Sequence, residues 1–190
     1  GERKGCMEKE KSIKLYFILS VIVIMALSTL SHFLYQWTNY NSFVGFFAPT
    51  NESVFQHLKM FFYPTIVYYL IVFLILAPKY NLNPNKWFLA PLITILLTSF
   101  VVVGIYYFFN YGLNISSMLV DISSFVIGLI LSAYVSYQIY TSNKKLKLPG
   151  VVSLIFIFAL AISVTYLDTN PQKKDLFYDH ENHTYERVID

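Results

Sequence analysis

Four ionisable side chains in this sequence have the chemistry of a metal centre. They are His32, Glu52, His57 and Asp121. Two imidazoles and a carboxylate are suitable zinc ligands, and a second carboxylate can act as general base on a metal-bound water. The predicted metal ligands are therefore His32, His57 and Asp121, with zinc as the candidate ion. The spacing matches no signature such as H-E-x-x-H, so no catalytic residue is assigned.

Two further polar residues, Asn51 and Lys59, flank Glu52 and His57 in a stretch that opens a long apolar helix. Ionisable groups inside a membrane helix are costly and are functional candidates by default. We therefore predict a polar cavity lined by the four ionisable residues, with Asn51 and Lys59 as additional ligand-binding candidates.

Each of these residues also has a purely structural interpretation. Glu52 can favour the positive N-terminal end of a helix, and Lys59 can extend to the membrane interface. His32 and His57 can hydrogen-bond to neighbouring helices and hold them together. In a regular helix Glu52 and His57 would point about 140° apart, which opposes a shared metal ion unless the first turn is irregular.

The elements that must position these residues are membrane helices. The 190-residue chain is 56% apolar and 13% charged, about half the charged fraction of soluble domains. Apolar runs of about 20 residues predict an all-α polytopic membrane protein with a bundle of five transmembrane helices. The net charge of +3 is small and gives no reason to expect nucleic-acid binding, and the single cysteine, Cys6, excludes an internal disulfide.

The predicted organisation is a basic arm over residues 1–14, a transmembrane domain over residues 15–167 and a polar tail over residues 168–190. An aromatic segment, residues 36–50, is expected at the headgroup level. The predicted helices span residues of about 15–35, 51–77, 87–109, 115–140 and 151–167.

Basic residues predict the orientation of these helices. They occur in the N-terminal arm, in the loop after the second helix and in the loop holding Lys144, Lys145 and Lys147, whereas the two short loops on the other side have none. By the positive-inside rule the N-terminus is cytoplasmic and the tail extracytoplasmic, in the cell membrane. The cavity residues then lie in the outer half of the bilayer.

Three segments resemble an uncharacterised bacterial family of small multi-pass membrane proteins, known chiefly as a domain of unknown function. The segments are S-H-F-L-Y-Q-W at 31–37, G-F-F-A-P at 45–49 and N-E-S-V-F-Q-H-L-K at 51–59. The last is similar to the family element N-E-S-V-W-E-H-L-K, and the change from Glu to Gln at Gln56 argues against an essential base there. Asp179 lies in a tail segment similar to the family's L-F-x-D pattern. The resemblance supports the architecture and implies no activity.

A fainter similarity connects the chain to the seven-helix membrane hydrolases that include ceramidases and adiponectin-receptor-like proteins, which hold a zinc ion. Only five helices are predicted here, and the paired histidines of a last helix are absent. Three functions therefore stay open. They are binding of a small or lipid-derived ligand in an outward cavity, metal-dependent intramembrane hydrolysis near lipid headgroups, and service as a subunit of a membrane complex.

Overall fold

The computed structural model describes residues 2–143 and 150–188, and their regular secondary structure is helical, with no β-strand. The helices are α1 (Glu2–Trp37), α2 (Val54–Tyr80), α3 (Pro84–Trp87), α4 (Leu89–Tyr107), α5 (Met118–Thr141) and α6 (Gly150–Thr169). Lys144, Lys145 and Lys147, used in predicting the orientation, lie outside the described residues, as do the side chains of Arg3, Lys4 and Cys6. The predicted all-α class is confirmed.

Five helical segments of the described chain are long and apolar enough to cross a membrane. They are Met7–Trp37, Val54–Tyr80, Pro84–Gly112, Met118–Thr141 and Gly150–Thr169. The third segment combines α3, α4 and the π-helical turn Phe108–Gly112. The basic arm belongs to α1, which begins at Glu2 and continues through the first span. The length and composition of these helices define a multi-pass membrane protein.

The chain divides into two compact units. The first unit comprises Gly1–Val23 and Thr65–Leu154, and the second comprises Ile24–Pro64 and Ile155–Asp190. Helices α1, α2 and α6 therefore each contribute residues to both units.

In the first unit, α5 packs closely against α4 through small residues. Ser124 and Ser132 are buried, and a Cβ on Gly128 would lie 2.9 Å from Thr98 Cγ2. The hydroxyls of Thr98 and Ser132 lie 3.3 Å apart. Ser124, Gly128 and Ser132 recur every four residues, so they share one face of α5, and this face packs against α4. Asp121 lies in the first turn of this helix, and its carbonyl accepts a 2.7 Å hydrogen bond from the Ser124 hydroxyl.

In the second unit, the polar tail is folded and packs against the loop that precedes α2. The Val188 N–H donates to the Thr50 carbonyl at 3.0 Å, and the Asn51 side chain donates to the Glu186 carbonyl at 3.0 Å. The ring of Phe177 packs on that of Phe55, with centroids 4.8 Å apart. Residues 50–55 are therefore in direct contact with the tail.

Candidate functional site

The start of α2 places Glu52 outside the helix. The Asn51 side-chain oxygen accepts a hydrogen bond from the Ser53 N–H at 3.0 Å, and the Ser53 hydroxyl accepts one from the Gln56 N–H at 3.4 Å. Ser53 therefore caps a helix that begins at Val54, three residues after the predicted start at about residue 51. Because Glu52 lies in a non-helical bend, the 140° separation expected for a regular helix does not apply.

Glu52 lies between two imidazoles in what we call the histidine–glutamate group, formed by His32, Glu52 and His57. His32 Nε2 lies 3.7 Å from Glu52 Oε1, and His57 Nε2 lies 3.4 Å from Glu52 Oε2. One ligand atom from each residue can be chosen so that all three lie within 4.8 Å of one another. The side chains are 27%, 36% and 40% exposed in chain order. Three donors thus converge and stay accessible from outside the protein.

The hydrogen bond of His57 directs its second ring nitrogen toward Glu52. Nδ1 lies 2.9 Å from the Ser53 carbonyl oxygen, which can only accept, so the geometry assigns the proton to Nδ1. Nε2 then presents its lone pair to the group. A ring N–H donating to a backbone carbonyl is the usual outer support of a metal-binding histidine. The Nδ1 of His32 is buried without a hydrogen-bond partner, so its ring lacks this support.

The distances in this group are close to those of a tetrahedral zinc site. Four ligands at about 2.0–2.1 Å from zinc lie about 3.3 Å from one another. The shortest contacts are of that order, since His57 Nε2 lies 3.4 Å from Glu52 Oε2 and His32 Nε2 lies 3.7 Å from the other carboxylate oxygen, Oε1. The widest of the three separations, up to 4.8 Å, must shorten by up to about 1.5 Å, which rotation of the part-exposed imidazoles can supply. Two histidines and one glutamate leave the fourth position to water or substrate.

The other predicted site residues lie elsewhere. Asp121 belongs to the first unit and is not a member of the histidine–glutamate group. Asn51 is buried, and both ends of its side chain are hydrogen-bonded to backbone. Whether any of the six predicted residues binds a ligand stays a prediction.

Lys59 is one of two cations bound to the buried carboxylate of Asp168, in a polar group that we call the Asp168 network. The Lys59 amine donates to Asp168 Oδ1 at 2.7 Å and to the Gly45 carbonyl at 2.8 Å. Gln56 donates to the same carboxylate oxygen at 2.6 Å, and Arg187 donates to Oδ2 at 2.7 Å. The side chains of Lys59 and Asp168 are 0% exposed. Lys59 is therefore paired inside the protein and does not extend to the membrane interface.

A small cavity borders the Asp168 network. Its volume is about 10 Å³, which is room for about one water molecule. Gln56, Asp168 and Arg187 contribute polar atoms to its wall, whereas the histidine–glutamate group does not line it. This cavity is too small for a lipid headgroup.

Asp179 in the tail is a second buried carboxylate. Burial acts to raise its pKa, but hydrogen bonds from Asn182, Glu52 and Glu181 outweigh that effect and hold the pKa below its ordinary value. The charged form of this group is thus the one that the fold stabilises.

Three residues with prominent roles, Asp168, Arg187 and Asp179, were absent from the predicted site. Asp168 and Lys59 were both visible as opposite charges near the ends of apolar spans on the same predicted side, so their pairing had a sequence signal. Arg187 and Asp179 had none in periodicity, because both lie in the polar tail beyond the last apolar helix, and Asp179 binds Glu52 127 positions away.

The helices and the site define a multi-pass helical membrane protein with polar groups at the ends of its spans. The chain belongs to a family of unknown function, DUF6512, whose model matches residues 6–186. This confirms the predicted membership of an uncharacterised family. No curated protein and no solved structure matches the chain.

Proposed function

We propose that this protein binds a divalent transition-metal ion, with zinc the best fit, through His32, Glu52 and His57. The observation that carries the proposal is the convergence of two imidazole nitrogens and a carboxylate within 4.8 Å, one imidazole being fixed from behind by a backbone carbonyl. Imidazole and carboxylate together suit zinc among the common metal ions of proteins. Asp121, in the other unit, is left out of this ligand set.

A purely structural role explains the group less well. The two His–Glu separations, 3.4 and 3.7 Å, exceed the roughly 2.7–3.2 Å of ordinary N–H···O hydrogen bonds. Even if the imidazoles were protonated, part-exposed ion pairs of this kind would contribute only about 0–1 kcal/mol to stability. The arrangement therefore stabilises the fold little, whereas a cation in the gap would satisfy all three groups.

The site lies near the ends of two apolar helices. His32 precedes the last residue of α1 by five positions, or about 7.5 Å of helix, and His57 lies in the first turn of α2. Trp37, Phe43 and Phe47 nearby in the chain are exposed, as expected of rings at the headgroup level. Together with the distribution of basic residues, this supports a site at the outer surface of the cell membrane, with a cytoplasmic N-terminus.

Hydrolysis of a bond near the lipid headgroups is the second candidate function. The observation that favours it is the three-residue ligand set, which is the pattern of catalytic zinc sites and leaves one position for water. Zinc lowers the pKa of such a water to about 7 and supplies hydroxide at neutral pH. Glu52 and the histidines hold the ion, and their partial exposure admits a substrate from the interface.

Metal analysis of the purified protein tests the proposal. After saturation with zinc and gel filtration in detergent, we expect about one zinc per chain in the wild type and a large loss in His57→Ala, since three ligands define the site. His180→Ala is the matched control, because His180 also contacts a carboxylate, Asp175 Oδ1 at 3.0 Å, but in the exposed tail. Equal zinc in both variants, or none in the wild type, would contradict the proposal.

The hydrolytic candidate needs its own assay. The zinc-loaded protein is incubated with phospholipid vesicles, with and without a chelator, and lipid products are measured. Release of product that requires zinc and is lost in His57→Ala supports hydrolysis. Stoichiometric zinc without product leaves metal binding as the function and removes the hydrolytic candidate.

A further inference from the structure

The carboxylate of Asp179 is surrounded by N–H donors. Oδ1 accepts hydrogen bonds from the backbone N–H groups of Glu181 and Asn182, each at 2.9 Å. Oδ2 accepts one from the Asn182 side chain and one from the backbone N–H of Glu52, each again at 2.9 Å. Asp179 itself is 0% exposed. Three of the four bonds close a turn within the tail, and the fourth reaches a proposed metal ligand 127 positions away.

We infer that Asp179 is a positioning residue for the metal site, because its carboxylate fixes the backbone of Glu52 so that the Glu52 side chain faces His32 and His57. The inference rests on the proposed metal-binding function. It gives the C-terminal tail a role in orienting Glu52, a proposed metal ligand that is not part of the tail.

Glu52 needs such support more than the other two ligands do. His32 and His57 lie on α1 and α2, where the regular helix fixes their backbones. Glu52 lies in a bend before α2, where no helical hydrogen bond fixes its N–H. The tail supplies the missing constraint at three successive residues, since Val188 and Glu186 bind Thr50 and Asn51 just as Asp179 binds Glu52.

Loss of the hydrogen bond between the Glu52 N–H and Asp179 Oδ2 would weaken metal binding. Groups that orient a metal ligand without touching the ion typically change metal affinity 10–100-fold when they are altered. Asp179→Asn keeps the size of the side chain but turns one acceptor oxygen into a donor, so the Glu52 N–H or the tail turn loses its partner. We expect about a 10–100-fold weaker zinc Kd for this variant.

Asn182→Ala provides the matched control. It removes the other hydrogen bond to the same oxygen, Asp179 Oδ2, and leaves the bond from Glu52 in place. A role confined to folding of the tail predicts similar losses in both variants. A positioning role predicts a zinc Kd within about twofold of wild type for Asn182→Ala.

The experiment measures zinc affinity by competition with a chromophoric chelator, and visible absorption after loading with Co²⁺, for the wild type, Asp179→Asn, Asn182→Ala and His57→Ala. We expect an altered Co²⁺ spectrum in Asp179→Asn, with unchanged helix content by circular dichroism. Should Asp179→Asn fail to accumulate, Asp179→Glu makes the same test by displacing the carboxylate by one methylene.

Two results would overturn the inference, and they differ. If His57→Ala abolishes binding while Asp179→Asn keeps the wild-type Kd and spectrum, or weakens no more than Asn182→Ala, the positioning role is wrong and the metal site stands. If the wild type binds neither zinc nor Co²⁺, the proposed function fails and the inference fails with it.

Discussion

The second unit holds two polar groups of opposite character, the Asp168 network and the histidine–glutamate group. In the network the side chains of Lys59 and Asp168 are fully buried, that of Arg187 is 21% exposed, and each donor meets an acceptor at 2.6–2.8 Å. In the histidine–glutamate group the side chains are half-exposed and stand 3.4–3.7 Å apart. One group is complete without a ligand, and the other has a gap of the size that a metal ion fills.

This difference separates a structural polar group from a candidate site better than charge alone does. Lys59 and His57 are both ionisable residues in the first turns of the same apolar helix, and both are equally conspicuous in the sequence. Lys59 joins α2 to α6 through Asp168, to the chain before α2 through Gly45, and shares Asp168 with the tail residue Arg187. His57 faces two further potential ligands and no completed bond at Nε2. The first group therefore fits a structural role, and our proposal of metal binding concerns the second group alone.

The largest loss of stability is expected from replacing Lys59 in the Asp168 network. In Lys59→Met the Asp168 carboxylate stays buried with one cation fewer, and loss of a buried partner costs about 3–5 kcal/mol. Arg187 still contacts Oδ2, so we expect the lower end of that range. Thermal unfolding in detergent measures the change.

Lys79→Met is the control for Lys59→Met, because it makes the same replacement at an exposed position near the other end of α2. We expect its unfolding temperature to stay close to that of the wild type. Equal unfolding temperatures for the two variants would show that the Asp168 network does not stabilise the fold, and the contrast with the histidine–glutamate group would then be wrong.

A smaller effect, of another kind, is expected at Glu52. Glu52→Gln keeps the size of the side chain but removes its charge, so zinc affinity should fall about 10–100-fold, or about 1.4–2.7 kcal/mol, while unfolding of the metal-free protein changes by less than about 0.5 kcal/mol. Zinc competition and thermal unfolding measure the two quantities. If Glu52→Gln destabilises the protein as much as Lys59→Met does and keeps its zinc affinity, the histidine–glutamate group is structural, like the Asp168 network.

The smallest expected effect is a change with pH in the stability that the tail residue Asp179 contributes. The pKa of Asp179 is lower in the folded protein than its ordinary value of 3.8, so its contribution to stability is present above that value and is lost as pH falls through the folded pKa. We therefore expect the difference in unfolding temperature between wild type and Asp179→Asn to shrink as pH drops below 3.8. A difference that is constant with pH would assign another cause to the effect of Asp179.

The sequence predicts the five spans because each contains a long apolar run, but it does not show that α1 begins in the polar arm at Glu2. Ser124, Gly128 and Ser132 recur at helical spacing, so they mark one face of α5, and that face packs against α4. The site is predicted only in part. His32, Glu52 and His57 were recognisable as ionisable groups near the ends of spans, but the helical geometry assumed for Glu52 separated it from His57. The bend depends on Ser53 as the cap and on Asp179 in the tail, and a contact across 127 positions leaves no trace in local periodicity.

The most direct test of the metal site is zinc K-edge X-ray absorption of the purified, zinc-loaded protein. We predict a first shell of nitrogen and oxygen at about 2.0–2.1 Å with the multiple-scattering pattern of two imidazoles, and loss of one imidazole in His57→Ala. A shell without imidazole scattering, or one unchanged in His57→Ala, would contradict the assignment of this group as a metal site.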